Sequence, residues 1–137
     1  MKLKLTLLAL VFTILLVSCA APGQSTSGSP STYKMISVAE LQTLRESGED
    51  FLFVNVHIPL EGNIPGTDFT VPYNEIENNL SLFPTNKDAK IVLYCRSDSM
   101  GNEATQKLAE NGYTDVYNLE DGYIAWKAYG LPFELSE

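Results

Sequence analysis

Two short apolar runs constrain the fold of this chain more than any other feature. Residues 51–56 read Phe-Leu-Phe-Val-Asn-Val, and residues 91–94 read Ile-Val-Leu-Tyr. Runs of this length, rich in β-branched and aromatic residues, are typical of strands buried on both faces of a parallel sheet. Helical patterns at 38–47, 101–111 and 122–129 alternate with them. We therefore predict an α/β fold with a mostly parallel central sheet and helices on both faces.

Capping and turn residues give the remaining elements. The domain is predicted to begin near Tyr33, and Ser37-Val-Ala-Glu40 is a capping box that starts the first helix. Shorter segments complete the alternation, with a strand at 70–73, a helix at 76–82 and a strand at 115–119. The sequence shows no internal repeat and no second domain, so we expect a single domain covering residues 33–137.

Cys95 follows the run at 91–94 directly, at the carboxyl end of a predicted central strand, where open α/β sheets bind their ligands. The polar residues 96–101 then lead into a helix. If this loop curls round the sulfur, its backbone N–H groups and the helix N-terminus point at it, which lowers a thiol's pKa and stabilises negative charge. The pattern predicts a nucleophilic thiol, although a lone cysteine is also common as a buried apolar side chain.

The first eighteen residues have the pattern of a secretory signal. Lys2 and Lys4 precede an apolar segment at 5–17 that is too short and wrongly flanked for a membrane span. Leu-Val-Ser-Cys at 16–19 resembles the lipobox of bacterial lipoproteins, in which the signal is cleaved before the cysteine and the cysteine carries lipid. We expect residues 1–18 to be removed and Cys19 to anchor the protein in the bacterial cell envelope, facing outside the cytoplasm. An ordinary secretory signal cleaved nearby is the alternative.

The segment 19–32 is rich in Ser, Gly, Thr and Pro and is predicted to be a flexible tether. The chain has two cysteines, so lipidation of Cys19 leaves Cys95 as the single thiol and excludes an internal disulfide. The formal charge of −8 falls to near −10 once Lys2 and Lys4 are removed. This acidity argues against nucleic acid as a partner. No Cys and His residues cluster at metal-ligand spacing, and we expect no metal or cofactor.

Four landmarks resemble the rhodanese-like domain family of sulfurtransferases. They are Val54-Asn-Val56 at a strand end, Asn63-Ile-Pro-Gly-Thr67, Tyr94-Cys-Arg-Ser97 at the start of the loop, and the segment from Gly112 to Trp126. Together they span residues 35–132, which is almost the whole predicted domain.

The resemblance implies a function for Cys95. In that family the cysteine takes a sulfane sulfur from a donor such as thiosulfate, holds it as a persulfide, and passes it to a thiophilic acceptor. Cys95 would then be the catalytic residue, and its partners would be a small-molecule sulfur donor and a thiol or cyanide acceptor. The backbone of the following loop would bind the substrate through Arg96, Ser97, Asp98, Ser99, Met100 and Gly101.

Several positions depart from the family pattern. The common loop reads Cys-Arg-Ser-Gly-X-Arg-Ser, and here Asp98 stands at the glycine and Met100 at the second arginine. A carboxylate beside a thiol raises the thiol's pKa and repels an anionic donor. Aspartate also tolerates positive φ better than most residues, which would explain Asp98 at a glycine position. The family's Asp-Val-Arg reads Asn55-Val56-His57, so a second arginine is absent. These changes weaken the case for thiosulfate as the donor.

His57 is the only histidine and ends the strand next to the predicted central strand. If it faces the cleft, it would lower the Cys95 pKa or act as a base. The other interpretation is a structural histidine held by hydrogen bonds. Tyr123 and Trp126 lie at helical spacing and are predicted to belong to the core.

Two other functions stay open. The first is a non-catalytic rhodanese-like module that binds a partner or senses redox state at the membrane, because Asp98 and Met100 both weaken the usual donor site. The second is a cysteine phosphatase, which uses a related loop on a similar fold. That chemistry needs an arginine to clamp phosphate, and Met100 stands in its place. The sequence leaves the acceptor and the oligomeric state open.

Overall fold

The computed structural model describes residues 33–137, so the predicted signal at 1–18, Cys19 and the predicted tether at 19–32 lie outside the described residues. The strands are β1 (Tyr33–Ile36), β2 (Leu52–Asn55), β3 (Gly62–Asn63), β4 (Phe69–Thr70), β5 (Ile91–Tyr94), β6 (Val116–Leu119) and β7 (Glu134–Leu135). The helices are α1 (Val38–Ser47), α2 (Ser99–Glu110) and α3 (Gly122–Ala128), and two 3₁₀ segments span Tyr73–Glu75 and Glu77–Leu82.

The main sheet has five strands in the order β1-β6-β5-β2-β4, and every neighbouring pair in it is parallel. The predicted parallel α/β architecture is therefore confirmed. A second sheet was not predicted. It joins β3 to β7 in an antiparallel pair, with Gly62 opposite Leu135 and Asn63 opposite Glu134.

Strand β5 separates two apolar cores because its side chains alternate between the two faces of the sheet. Ile91, Leu93 and Cys95 pack on the face covered by α2, whereas Val92 and Tyr94 pack on the face covered by α1 and α3. Every residue of β5 is fully buried. The second core includes Tyr123 and Trp126, as predicted. Helices thus cover both faces, and burial on both faces explains why β5 is continuously apolar.

Helix α1 begins at the predicted capping box. The Ser37 hydroxyl accepts a hydrogen bond from the Glu40 N–H, and the Glu40 carboxylate accepts one from the Ser37 N–H at 2.8 Å. The helix ends at Gly48, whose φ of 73° is the left-handed conformation that favours glycine.

Three predicted elements differ in the structure. The strand predicted at 70–73 is β4, which covers only Phe69–Thr70, although the Val71 and Tyr73 N–H groups still donate to carbonyl oxygens at the end of β2 and just after it at 3.0 Å. The helix predicted at 76–82 is a 3₁₀ segment with non-helical backbone at Asn79. Helix α2 begins at Ser99 and not at Gly101, so half of the predicted loop is its first turn.

The described chain begins at one end of the strands of the main sheet, and Cys95 lies at the other end. Tyr33, at the start of β1, pairs with Val116, which in turn pairs with Ile91 at the start of β5. Because the strands are parallel, residue 33 lies at the amino-terminal end of the strands, and Cys95 follows β5 at their carboxyl-terminal end. Within residues 33–137, no helix combines the length and the apolar character needed to cross a membrane.

Candidate active site

Three backbone amides surround the sulfur of Cys95. The thiol is 1% exposed, and the N–H groups of Gly101, Ser97 and Met100 donate hydrogen bonds to it. Two of these amides belong to the first turn of α2, where N–H groups have no partner within the helix. The predicted ring of N–H donors at a helix N-terminus is therefore present.

The N-terminus of α3 holds the backbone of the cysteine loop. The Tyr123 N–H donates to the Cys95 carbonyl oxygen at 3.0 Å, and the Ile124 N–H donates to the Arg96 carbonyl oxygen at 3.2 Å. Gly122 has a φ of +53°, and a Cβ atom at this position would overlap the Cys95 carbonyl oxygen and the Arg96 backbone. The closeness of α3 to the loop therefore requires a glycine at 122.

Asp98 anchors the loop without left-handed backbone. Its φ is −119°, so the expectation of positive φ at this glycine position was wrong. Its Oδ1 accepts a hydrogen bond from the Asp121 N–H at 3.0 Å, which ties the loop to the residue before α3. The Asp98 side chain therefore makes a tertiary contact that a glycine lacks, on an ordinary backbone conformation.

Gly101 is buried against β6, a contact that the sequence did not indicate. A Cβ atom at 101 would overlap the side chain of Asn118, whose Nδ2 donates to Asn102 Oδ1 at 3.0 Å. A glycine here lets the first turn of α2 approach the sheet closely, and that approach brings its amides to the sulfur.

The side chains of the loop differ in exposure. Arg96, Ser97 and Ser99 are exposed, whereas Met100 is half-buried and packs against the core cluster that contains Cys95. The position of the family's second arginine is therefore apolar. It offers no clamp for a phosphate group, which argues against the phosphatase.

The pKa of Cys95 is raised, which corrects the expectation of a lowered value. Burial of the sulfur raises the pKa most, the hydrogen bonds from Gly101, Ser97 and Met100 lower it, and the charge of Asp98 raises it. Burial outweighs the amides because a thiolate loses more hydration than three N–H groups return. The resting thiol is thus less ionised than an ordinary cysteine.

This direction predicts the pH dependence of Cys95 alkylation. Iodoacetamide reacts with the thiolate, so the rate should rise with pH and reach its midpoint above the ordinary cysteine value. Asp98→Asn should move the midpoint to lower pH, because it removes the charge that opposes ionisation while Oδ1 still accepts from Asp121. Alkylation quenched at set times and followed by mass spectrometry measures the rate against pH for the wild type and for Asp98→Asn. A wild-type midpoint below the pKa of an ordinary cysteine would contradict the burial argument.

The mouth of the site consists of Arg96 and Asp98 in the loop, Glu61 beside Arg96, and Asp121, whose N–H binds Asp98. Glu61 was not predicted from the sequence. Its Oε2 accepts a hydrogen bond from the Tyr123 hydroxyl, and its Oε1 lies 3.6 Å from Arg96 Nη1. The Tyr123 hydrogen bond and the Arg96 charge lower the pKa of Glu61, while burial and Glu61 raise the pKa of Tyr123. Glu61 follows β2 in a loop at the carboxyl-terminal ends of the strands, and this position could have indicated from the sequence that it lies near Cys95.

His57 is buried behind Glu61, with 6% of its surface exposed. Its backbone N–H donates to Asn55 Oδ1 at 2.9 Å, and its ring stands nearly perpendicular to the Tyr123 ring. The ring nitrogens have no hydrogen-bond partner among the described residues, and Nε2 lies 3.7 Å from Glu61 Oε1. The ring is not among the donors to the Cys95 sulfur.

The geometry defines the chemistry available to the site. A thiolate held by three amides can attack an electrophile, and the same amides stabilise the charge that develops beside the sulfur. In the part of the chain that the structure describes, no three His, Cys, Asp or Glu side chains form a group that could hold a metal ion.

The fold and the site define a class of protein: a parallel α/β domain with one cysteine in an amide-lined loop at the carboxyl ends of its strands. Residues 37–129 match the family described as the rhodanese-like domain, and this chain belongs to that family.

Three relatives illustrate the membership. A sulfurtransferase of Allochromatium vinosum is 38% identical over 92 residues, which cover 65% of this chain and 83% of that protein. The thiosulfate sulfurtransferase GlpE of Pseudoalteromonas translucida is 29% identical, over 70% of this chain and 90% of that protein. The crystal structure of a rhodanese-like domain protein from Staphylococcus aureus matches with a TM-score of 0.63 and 26% identity, over 76% of this chain and 99% of that one.

Proposed function

We propose that this protein is a sulfurtransferase that carries sulfane sulfur as a persulfide on Cys95. The observation that supports this most is the set of three N–H groups, from Ser97, Met100 and Gly101, that converge on one buried thiol. Named sulfurtransferases among the relatives support the same chemistry. A persulfide is anionic and larger than a thiolate, so it gains from convergent amides that need no reorganisation.

The transfer has two displacement steps. The Cys95 thiolate attacks the sulfane sulfur of the donor, the donor's sulfur–sulfur bond breaks, and the donor leaves with the bonding pair as sulfite or a thiolate. An acceptor thiolate or cyanide then attacks the outer sulfur of the persulfide. The Cys95 sulfur leaves with the bonding pair, and the acceptor becomes a persulfide or thiocyanate. No net oxidation occurs, and the thiol is regenerated.

We also propose that the protein lies in the bacterial cell envelope, anchored through lipid on Cys19 after removal of residues 1–18. The segment 19–32 would then connect the lipid to residue 33. Residue 33 enters at the sheet edge opposite Cys95, so a connection from this side leaves the mouth of the site unobstructed.

A second candidate is a non-catalytic or redox-sensing module at the membrane. The raised pKa of Cys95, caused first by burial, and the apolar Met100 favour it, because both reduce attack on an anionic donor at neutral pH. This candidate requires a folded domain on which no sulfane donor leaves sulfur.

Intact-mass spectrometry tests the proposal. The full-length chain carrying Cys19→Ser, in which Cys95 is the only thiol, is incubated with thiosulfate and separately with an aminoalkyl persulfide. We expect a gain of one sulfur atom with at least one donor, removed by a reductant and by an acceptor thiol. Protein alkylated at Cys95 beforehand serves as the control. No gain with either donor, on protein shown to be folded and reduced, would leave the binding or redox module as the function.

A further inference from the structure

We propose that the mouth of the Cys95 site selects its sulfur donor by charge, with Glu61 and Asp98 disfavouring anions such as thiosulfate and favouring persulfides balanced by an ammonium group. This inference rests on the proposed sulfur transfer and names its donor class. Glu61 acts here as a positioning residue, through its contact with Arg96.

The supply of cations near the thiol is small. The chain has nine Lys and Arg residues, of which Lys2 and Lys4 lie outside the described part. Six of the other seven are engaged elsewhere: Lys34 and Lys90 pair with Asp115, Lys107 pairs with Glu103, Arg45 donates to the Pro65 carbonyl oxygen, Lys87 lies over the Tyr113 ring and Lys127 over the Phe133 ring. Arg96 is the seventh and belongs to the loop.

Glu61 offsets that one cation. Glu61 Oε1 lies 3.6 Å from Arg96 Nη1, and the Tyr123 hydroxyl holds the other carboxylate oxygen. The Arg96 side chain is 57% exposed, so this ion pair adds little to stability. The ion pair instead changes the electrostatic potential at the mouth. The charges of Glu61 and Arg96 lie so close together that their effects on an approaching ion nearly cancel. The lowered pKa of Glu61, held down by the Tyr123 hydrogen bond, keeps the carboxylate ionised.

Asp98 forms no ion pair with any Lys, Arg or His of residues 33–137. Its charge acts on the Cys95 sulfur, and its Oδ1 is fixed by the Asp121 N–H, so it cannot turn away without losing that bond. Asp121 adds a further exposed carboxylate beside the loop. Met100 supplies no charge. The mouth is therefore negative as a whole, although the amides below it are arranged for an anion.

Sulfur donors of different charge should differ in how strongly this negative mouth repels them. Thiosulfate is a dianion and meets the repulsion twice. In an aminoalkyl persulfide the ammonium group balances the persulfide anion, so its approach costs little. Once the sulfane sulfur is bound, the negative charge sits on the amides of Ser97, Met100 and Gly101, below the carboxylates.

Alkylation with two reagents of matched size and different charge tests the field independently of sulfur transfer. Iodoacetate and iodoacetamide have nearly the same size, and the same thiolate attacks the carbon of either one with loss of iodide, so the ratio of their rates cancels both access and thiol ionisation. The measured quantity is the rate with iodoacetamide divided by the rate with iodoacetate. On full-length protein carrying Cys19→Ser, we expect this ratio to be about threefold to tenfold larger than the ratio for 2-mercaptoethanol, a free thiol in solution. Asp98→Asn and Glu61→Gln should each recover part of this penalty, and added salt should reduce it.

Glu110→Gln is the matched control. It removes one carboxylate at the far end of α2, about 16 Å along the helix from the loop and beyond the screening length, so the rate ratio should not change. A ratio equal to that of 2-mercaptoethanol in the wild type, or an equal shift in Glu110→Gln, would overturn the inference.

Sulfur donors complete the test and separate the two proposals. Asp98→Asn and Glu61→Gln should each raise the rate of persulfide formation from thiosulfate, relative to the rate from an aminoalkyl persulfide, by about tenfold, because thiosulfate carries two charges. The ratio is the measure because Asp98→Asn also lowers the pKa of Cys95 and so raises the absolute rate with both donors. If neither donor adds sulfur while the alkylation preference holds, sulfur transfer is wrong and the charged mouth stands. If both donors add sulfur equally in all variants, transfer stands and donor selection by charge is wrong.

Discussion

Gly122→Ala is expected to lower the free energy of unfolding by about 3 kcal/mol and to remove most of the persulfide formation on Cys95. The backbone at 122 has a φ of +53°, which costs an alanine about 1 kcal/mol. The added Cβ atom would also overlap the Cys95 carbonyl oxygen and lie 2.7 Å from the Arg96 carbonyl carbon. Relief of this overlap must separate α3 from the cysteine loop, because both contacts are backbone atoms.

The consequence for the site follows from the same displacement. The Tyr123 and Ile124 amides hold the carbonyl groups of the loop, so a shift of α3 releases the loop that carries the Ser97 amide. Denaturant unfolding and the rate of mass gain on Cys95 with a sulfur donor measure the two effects. Gly48→Ala is the matched control, because its φ of +73° imposes the same kind of strain with no atom within 4 Å. It should cost about 1 kcal/mol and leave Cys95 unaffected. Equal losses in both variants would mean that backbone strain alone explains Gly122.

Cys95→Ser is expected to abolish persulfide formation and sulfur transfer with every donor. A serine hydroxyl is hardly ionised near neutral pH and cannot hold a sulfane sulfur, so no intermediate can form. The protein should stay folded, because an oxygen fits in the volume of the sulfur and can accept hydrogen bonds from the surrounding amides. The measurements are mass gain with donor and transfer of sulfur to an acceptor thiol, alongside circular dichroism.

Cys19→Ser is the corresponding control, because it removes the chain's other cysteine and must retain transfer. Cys95→Ala provides a second test in which no hydroxyl is present. Sulfur transfer that survives both substitutions at 95 would show that another group carries the sulfur, and the function proposed for Cys95 would be wrong.

Local patterns in the sequence were sufficient for much of the fold. The parallel sheet follows from the apolar runs that became β2 and β5, since strands buried on both faces leave no polar alternation. The start of α1 follows from Ser37 and Glu40, which satisfy each other within one turn. The prediction that Cys95 lies at the end of a buried strand likewise needed only the residues next to it in the chain. The boundaries of β4 and α2 were less accurate, because a strand or helix end depends on which partner its amides find.

Tertiary structure decided the electrostatics of the site. The contact between Glu61 and Arg96 joins residues 35 positions apart, and the Tyr123 hydroxyl reaches Glu61 from α3 across 62 positions. No periodic pattern encodes such contacts. The pairing of β3 with β7 was likewise invisible in two-residue segments separated by most of the domain.

The pKa of Cys95 shows the division most directly. The sequence alone identified a thiol at the end of a buried strand, a loop able to direct amides at it, and a carboxylate at Asp98. It could not give the sign of the pKa shift, because that sign is a balance between burial, which raises the pKa, and the hydrogen bonds, which lower it. Sequence thus determined which groups are present, since that is local, and the fold decided which effect prevails, since burial is a sum over all neighbours.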